Sequence, residues 1–271
     1  PVANIIDSVG SFQFSNNFVY SANRQVIFIN YVKSNLNISS NRFKNSALID
    51  SNFMTLIHNI SEIVLFNNSF LGFSSRGNIL IDFKRYANTK TYLFVSECEF
   101  INNKNDYSIF QIGHASSLPL NVALNFSKCK FIKNICYEGN GGAIALNINH
   151  ELSLTNCCFI NNKAFLHGGA LALYKNKRVD IISCIFEENE ANCILTSFHK
   201  QDNKQKGRGG ALYIYSSFSY IKNDYTKIFN CTFKSNSAFD GYAIYIGGND
   251  EGQKIIINKN TFNDNYDKSS N

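Results

Sequence analysis

Long apolar runs, tryptophan and proline are scarce in this sequence. The 271-residue chain contains no tryptophan, two prolines and one methionine. No apolar run approaches the roughly 18 residues that a membrane-spanning helix needs, so we expect no such span. No cysteine or histidine spacing typical of a metal site occurs, and we expect neither a metal nor a cofactor. Because the chain begins at Pro1 instead of methionine, we expect a processed chain or a fragment of a longer protein.

Charge of either sign is also modest. The 26 basic and 20 acidic side chains leave a net charge of +6, and they are scattered along the chain. Scattered charge of this size favours solubility and gives no reason to expect a nucleic-acid partner.

What the sequence contains instead is a repeat. The motif Phe-x-x-Asn occurs at Phe14/Asn17, Phe100/Asn103, Phe131/Asn134, Phe159/Asn162, Phe186/Asn189, Phe233/Asn236 and Phe262/Asn265, with degenerate copies at Phe43 and Phe70. The steps between these phenylalanines are 27 to 31 residues, apart from one step of 47. A period in this range indicates a solenoid.

The residues around the motif alternate between apolar and other types. A Gly-Gly-Ala sequence precedes an alternating apolar stretch at 141–146, 168–173 and 209–214, and Gly-Tyr-Ala does so at 241–246. A period of two is typical of β-strands. We therefore predict an all-β, single-stranded parallel β-helix of about nine coils, with about three strands per coil and one long inserted loop.

The repeated residues are interpreted as structural. Phenylalanine at one place in every coil predicts a column of stacked rings inside the solenoid. The asparagine predicts a turn in which its side chain binds local backbone and tolerates left-handed φ, and it also predicts a ladder of side-chain amides. We expect Gly-Gly to form a sharp corner.

Five of the eight cysteines lie two residues before a repeat phenylalanine: Cys98, Cys129, Cys157, Cys184 and Cys231. We expect them to face inward and to remain reduced, because Cβ atoms on adjacent in-register strands lie about 4.8 Å apart, farther than a relaxed disulfide allows. Cys136, Cys158 and Cys193 lie off this column. Cys158 has outward parity and is predicted to be the most reactive thiol.

Taken together, Phe-x-x-Asn and Gly-Gly-Ala-[Ile/Leu] resemble the repeat of the polymorphic outer-membrane proteins, which belong to the pectin-lyase-like superfamily. The resemblance extends from Cys98 to Asn265 and is weak before Cys98. It implies a right-handed parallel β-helix on a cell surface and an adhesin-like role. It supplies no catalytic residues.

The organisation predicted is one β-helix domain over residues 1–271. Residues 1–45 are predicted to form an irregular first coil or cap, 46–265 the regular coils, and 266–271 a polar tail. The step of 47 residues contains an insertion at 191–208, and insertions in solenoids project from one face, often the binding face.

A candidate ligand-binding surface lies beside this insertion. The alternation places several tyrosines of consecutive coils on one outer sheet, next to the basic half of the inserted loop. We therefore predict a binding surface made of Tyr174, Tyr213, Tyr215, Tyr245, Lys200, Lys204, Lys206 and Arg208.

Three functions remain open. The first is a non-catalytic cell-surface or secreted adhesin or ligand-binding module, whose partner is a protein or glycan on a cell surface or matrix. The second is a structural subunit that self-associates through its ends or outer sheets. The third, least favoured, is a polysaccharide lyase or glycoside hydrolase, because Glu97 and Glu99 are expected to pair with Lys128 and Lys130 instead of acting on a substrate. Glycosylation sequons occur at Asn37, Asn59, Asn67, Asn125 and Asn230.

Overall fold

The chain folds as an all-β solenoid. The computed structural model describes residues 3–5, 9–20, 27–29, 32–44, 47–48, 54–57, 62–75, 81–84, 90–112, 122–147, 150–191, 207–215, 225–248 and 254–267, and within these ranges every regular element is a β-strand. The strands form four sheets in which all neighbouring strands are parallel, and the chain visits the sheets in turn. One passage through the four sheets is called a coil below.

The four sheets, named A to D in the order in which a coil visits them, have the following strands. Sheet A contains β1 (Ala3–Ile5), β4 (Ile27–Ile29), β8 (Met54–Ile57), β12 (Ile81–Lys84), β16 (Phe110–Ile112), β20 (Ile144–Asn147), β24 (Leu171–Tyr174), β28 (Leu212–Tyr215) and β32 (Ile244–Gly247). Sheet B contains β2 (Val9–Ser15), β5 (Val32–Ser39), β9 (Glu62–Phe66), β13 (Thr91–Ser96), β17 (Val122–Ser127), β21 (Glu151–Thr155), β25 (Arg178–Ile182), β29 (Tyr225–Phe229) and β33 (Lys254–Asn258).

Sheet C contains β3 (Phe18–Tyr20), β6 (Arg42–Lys44), β10 (Ser69–Leu71), β14 (Glu99–Ile101), β18 (Lys130–Ile132), β22 (Cys158–Ile160), β26 (Ile185–Glu187), β30 (Thr232–Lys234) and β34 (Thr261–Asn263). Sheet D contains β7 (Ala47–Leu48), β11 (Ser74–Ser75), β15 (Lys104–Asn105), β19 (Ile135–Cys136), β23 (Lys163–Ala164), β27 (Glu190–Ala191), β31 (Ser237–Ala238) and β35 (Tyr266–Asp267). The sequence predicted about three strands per coil. The fourth was missed because strands of two residues are too short to show alternation.

The phenylalanine column forms the centre of the core. In sheet C, successive rings from Phe70 to Phe262 lie 4.8 to 5.0 Å apart between centroids and within 9° of parallel. Phe43 continues the column, 5.0 Å from Phe70. The rings from Phe43 to Phe233 are fully buried. This arrangement confirms the predicted stack, including the two degenerate copies.

One copy of the motif was assigned to the wrong place. Phe14 lies in β2 and pairs with Ile38 of sheet B, whereas Val19 occupies the column position beside Phe43. The error arose because Phe14/Asn17 has the spacing of the motif by coincidence. Asn17 belongs to the corner between sheets B and C, and the other motif asparagines belong to the corner between sheets C and D.

The corner between sheets C and D is held by an asparagine ladder. Each member donates from Nδ2 to the Oδ1 of the next coil's asparagine at 2.9 to 3.0 Å, from Asn103 through Asn134, Asn162, Asn189 and Asn236 to Asn265. The same Nδ2 donates to a phenylalanine carbonyl of the preceding coil, as Asn162 does to Phe131 at 2.9 Å. The amide ladder predicted from the sequence is therefore present. The left-handed φ, however, belongs to the residue before each asparagine, such as Asn161 at 55°.

The corner between sheets B and C uses cysteine in the same way. Asn17, Asn41 and Asn68 begin this column, Cys98, Cys129, Cys157, Cys184 and Cys231 continue it, and Asn260 follows. Cys98 Sγ donates to the Leu65 carbonyl of the preceding coil at 3.4 Å, and Asn68 Nδ2 donates to the equivalent Ile38 carbonyl at 2.7 Å. A buried thiol and a buried amide thus fill the same hydrogen-bonding position.

All the cysteines in the described part of the chain are free thiols. The five column members are buried, as predicted, and burial raises the pKa of the Cys98 thiol to about 11. Cys158 faces outward but is only half-exposed, and burial followed by the nearby Cys157 raises its pKa as well. Cys158 is therefore the most accessible described thiol but is less nucleophilic than a free cysteine. Cys193 lies outside the described residues, as does most of the 191–208 insertion.

Replacing Phe159 by alanine tests the ring column. Phe159 is stacked between Phe131 and Phe186 at 4.9 Å on each side, so its loss leaves a cavity that neither neighbour can fill. We expect Phe159→Ala to lower the free energy of unfolding by about 3–5 kcal/mol in a urea titration. Phe262→Ala is the matched control, because Phe262 is 49% exposed, and it should cost about 1 kcal/mol. Equal losses in both variants would contradict the column.

Replacing Cys98 by asparagine or aspartate tests the equivalence of thiol and amide. Cys98 follows Asn68 in the column, so asparagine there moves the boundary between amides and thiols by one coil. We expect Cys98→Asn to change the free energy of unfolding by no more than about 1 kcal/mol. Cys98→Asp has nearly the same shape but lacks the donor and buries a charge, and should cost more than about 3 kcal/mol. Equal losses of unfolding free energy in Cys98→Asn and Cys98→Asp would contradict the equivalence of thiol and amide at this position.

Candidate functional site

The predicted tyrosines lie together on the outer face of sheet A. Register places Tyr213 beside Tyr245 and Tyr174 beside Tyr215 on adjacent strands. We name Tyr174, Tyr213, Tyr215, Tyr245 and Arg208 the tyrosine surface. Lys200, Lys204 and Lys206, which were predicted to belong to it, lie outside the described residues.

Tyr213 is not exposed, contrary to the expectation from its outward parity. Its side chain is 4% exposed because it is stacked between the His167 ring at 4.5 Å and the Tyr245 ring at 5.4 Å. Tyr174 closes it from a third side, with ring centroids 5.2 Å apart. Outward parity identified the face correctly, but aromatic neighbours on an exposed sheet bury the residue between them. Tyr213 therefore supports this surface, and Tyr174, Tyr215 and Tyr245 present it to solvent.

Arg208 contacts both the tyrosine surface and the corners formed by the Gly-Gly pairs. Its guanidinium carbon lies 5.0 Å from the centre of the Tyr245 ring, and its Nε donates to Asp240 at 3.4 Å. Its backbone N–H donates to His167 Nδ1 at 3.2 Å. His167 precedes Gly168, which has a φ of 64°. A Cβ atom at this position would lie 2.0 Å from the Leu171 carbonyl oxygen, so only glycine allows this tight corner.

Burial shifts the pKa values of His167, Tyr174 and Tyr213 at this surface. Burial, and then the positive charge of Arg208, lowers the pKa of His167 to about 4, so the ring is neutral at physiological pH. Burial also raises the pKa values of Tyr174 and Tyr213, which keeps both hydroxyls protonated. The tyrosine surface therefore presents aromatic rings, the protonated hydroxyl of Tyr174 and the guanidinium of Arg208, which Asp240 contacts.

A concave feature that the sequence did not predict lies on the outer face of sheet B. It is a groove of about 250 Å³. Its lining is formed by Tyr92, Ala123, Leu124, Asn125, Glu151, Leu152, Ser153, Arg178, Asp180 and Tyr225. We call it the sheet B groove. Register puts Tyr92 and Tyr225 on the two outermost of its five strands, and the strands between them supply the short side chains of Ala123, Asn125 and Ser153 beside the charged Glu151, Arg178 and Asp180.

The charged groups of the sheet B groove are paired. Glu151 accepts hydrogen bonds from Lys90 and from Arg178, both at 2.7 Å. Burial favours a raised pKa for Glu151, but these two cations outweigh it and hold the pKa below the usual range. The Tyr225 hydroxyl donates to Asp180 at 2.7 Å, and this hydrogen bond raises the pKa of Tyr225.

The groove had a detectable signal in the sequence. Its central row, Tyr92, Ala123, Glu151, Arg178 and Tyr225, lies six residues before the five column cysteines. When the coils are aligned on cysteine, their outward positions assemble the groove, whereas the long insertion at 191–208 is the stronger signal along a single repeat and points to sheet A.

The structure describes the two predicted ion pairs and four of the five glycosylation sequons. Lys128 pairs with Glu97 at 3.2 Å and Lys130 with Glu99 at 2.9 Å, which confirms the expected ion pairs between coils. Among the sequons, Asn67 and Asn230 are exposed at corners, Asn37 and Asn125 are half-buried, and Asn59 lies outside the described residues. Their glycosylation stays a prediction.

Comparison of this chain with protein families, curated proteins and solved structures finds no match. The resemblance of the repeat to the polymorphic outer-membrane proteins therefore stays a prediction. Within the residues the structure describes, there is no group of three or more histidine, cysteine or acidic side chains placed to hold a metal ion. These residues also include no helix of the length and apolarity that crossing a membrane requires.

Proposed function

We propose that this chain is a non-catalytic ligand-binding module of a cell-surface or secreted protein, built as a right-handed β-helix of about nine coils. The observation that carries the proposal is the tyrosine surface. Three tyrosines on three successive strands of sheet A are half-exposed around a buried fourth, and Arg208 lies on one of them. Aromatic side chains held rigidly beside a guanidinium are the composition that dominates protein recognition sites.

The rigidity of this surface supports binding. The ring of Tyr213 is held between the rings of His167 and Tyr245. The exposed tyrosines that pack against Tyr213 are held in place by it, so they lose little side-chain freedom when a partner covers them. The ring of Tyr215 lies nearly parallel to that of Tyr213, 6.2 Å away, and continues the row. The partner is a protein or a glycan on a cell surface or matrix.

In the sheet B groove, the chemistry of Glu151 favours binding over hydrolysis. A general acid in a glycosidase has a raised pKa. Glu151, the carboxyl group in the sheet B groove that two cations contact, has a lowered pKa. Such a carboxylate accepts hydrogen bonds well but does not protonate a leaving group near neutral pH.

The binding proposal is tested with the double variant Tyr215→Ser/Tyr245→Ser. Purified protein is applied to immobilised fibronectin, laminin and collagen and to a glycan array. We expect wild type to bind at least one of these probes and the double variant to bind it at least about tenfold more weakly, since truncating exposed aromatic anchors costs more than about 1 kcal/mol.

Tyr266→Ser is the matched control, because Tyr266 is 45% exposed on sheet D, away from the tyrosine surface. It should bind as wild type does. Thermal unfolding confirms that each variant is folded. A wild-type protein that binds none of the probes, or a folded double variant that binds as tightly as wild type, would overturn the proposal.

A second candidate function, a self-associating structural subunit, is favoured by the last described coil. Tyr242, Ile246, Ile257 and Phe262 are 40 to 49% exposed there. They line an open apolar cavity of about 610 Å³. These side chains lie on the open side of the last described coil, where a second copy or a further coil would cover them.

If this end joins two copies, sedimentation equilibrium should show a mass that rises with concentration, and Ile257→Asp should abolish the rise. A monomer at all concentrations would remove this candidate.

A further inference from the structure

The sheet B groove has the dimensions of an extended ligand. Tyr92 and Tyr225 lie on β13 and β29, four strands apart in sheet B. With about 4.8 Å between strands, their backbones are separated by ~19 Å. The positions between them hold Ala123, Glu151 and Arg178, and the adjacent row holds the short side chains of Asn125 and Ser153. The groove therefore runs across the strands with an aromatic ring near each end.

Charges of both signs alternate along the groove. Lys90 and Arg178 contact Glu151, Asp180 accepts from Tyr225, and Lys227 lies beside Asp180 in register, which gives three positive and two negative groups. Each carboxylate oxygen can accept a second hydrogen bond, so Glu151 and Asp180 keep acceptor capacity after these contacts. A groove in which both signs are interspersed gives little advantage to a polyanion or a polycation.

The surface also disfavours an extended peptide. The backbone groups of β13, β17, β21, β25 and β29 face neighbouring strands in the parallel sheet, so the groove presents side chains and no strand edge. A peptide backbone needs partners for its own N–H and C=O groups, which recognition by strand addition supplies at a sheet edge. A ligand rich in hydroxyl groups finds its partners among carboxylates, amides and hydroxyls.

We propose that the sheet B groove binds a neutral linear oligosaccharide that lies across the strands. Tyr92, which is 41% exposed, and Tyr225 pack against sugar rings at the two ends, because the electron-rich ring face attracts the partially positive C–H groups of a pyranose. Glu151 and Asp180 accept hydrogen bonds from sugar hydroxyls between them. This site lies on a different sheet from the tyrosine surface and does not depend on the function proposed for it.

The proposal is tested by isothermal titration calorimetry with cellotetraose, chitotetraose, mannotetraose, laminaritetraose and, as the charged comparison, tetragalacturonate. We expect at least one neutral tetraose to bind and tetragalacturonate to bind no more tightly. Tyr92→Ala and Tyr225→Ala should each weaken that binding about tenfold, as loss of an aromatic anchor does elsewhere.

Three variants serve as comparisons. Tyr92→Phe keeps the ring and should bind within about twofold of wild type, since the hydroxyl of Tyr92 is not required. Glu151→Gln keeps the shape but weakens acceptance and should reduce affinity by about tenfold. Tyr266→Ala alters an exposed tyrosine of sheet D and should bind as wild type does.

Three results would overturn the proposal: no neutral tetraose binds, binding survives both Tyr→Ala substitutions in folded protein, or tetragalacturonate alone binds with an affinity that falls as salt rises. Loss of binding in Tyr215→Ser/Tyr245→Ser, with Tyr92→Ala unaffected, would assign the sugar to the tyrosine surface and would also overturn the proposal for the groove.

Discussion

The structure depends on hydrogen bonds that pass from coil to coil through buried side chains at two corners. At the corner between sheets C and D, the Nδ2 of Asn162 donates to the Asn189 Oδ1 at 3.0 Å and to the Phe131 carbonyl at 2.9 Å, so one amide joins three coils. A buried amide without such partners would cost about 1–3 kcal/mol. The ladder therefore fixes the register of the coils, and the stacked phenylalanines next to it fill the interior that this register creates.

Much of this arrangement follows from the sequence, because a buried column requires the same residue type at the same place in each coil. The position of Phe159 and the inward direction of Cys157 are predicted for that reason, and the ion pairs of Glu97 and Glu99 follow from the in-register stacking of adjacent coils. The errors arose where the local pattern was ambiguous. Phe14 has the spacing of the motif but lies on another sheet, and the two-residue strands of sheet D carry no periodicity.

The candidate sites were harder to predict than the fold. Alternation assigned Tyr213 to the outer face, but its burial depends on the rings of His167 and Tyr245, which come from other coils. The sheet B groove needs five outward positions from five coils, of which each is unremarkable alone. In a solenoid, a surface site is formed by single residues from several adjacent repeats, so the sequence of one repeat does not reveal it.

Neighbouring coils stack in register, so that Cys157 faces the interior and Cys158, one residue later, faces outward. Mass spectrometry after brief labelling of the folded protein with iodoacetamide measures which of these two thiols the solvent reaches. We expect modification of Cys158 in the folded state, and modification of Cys157 and the other column cysteines only after unfolding. Equal labelling of Cys157 and Cys158 in the folded protein, or a native disulfide between two column cysteines, would contradict it.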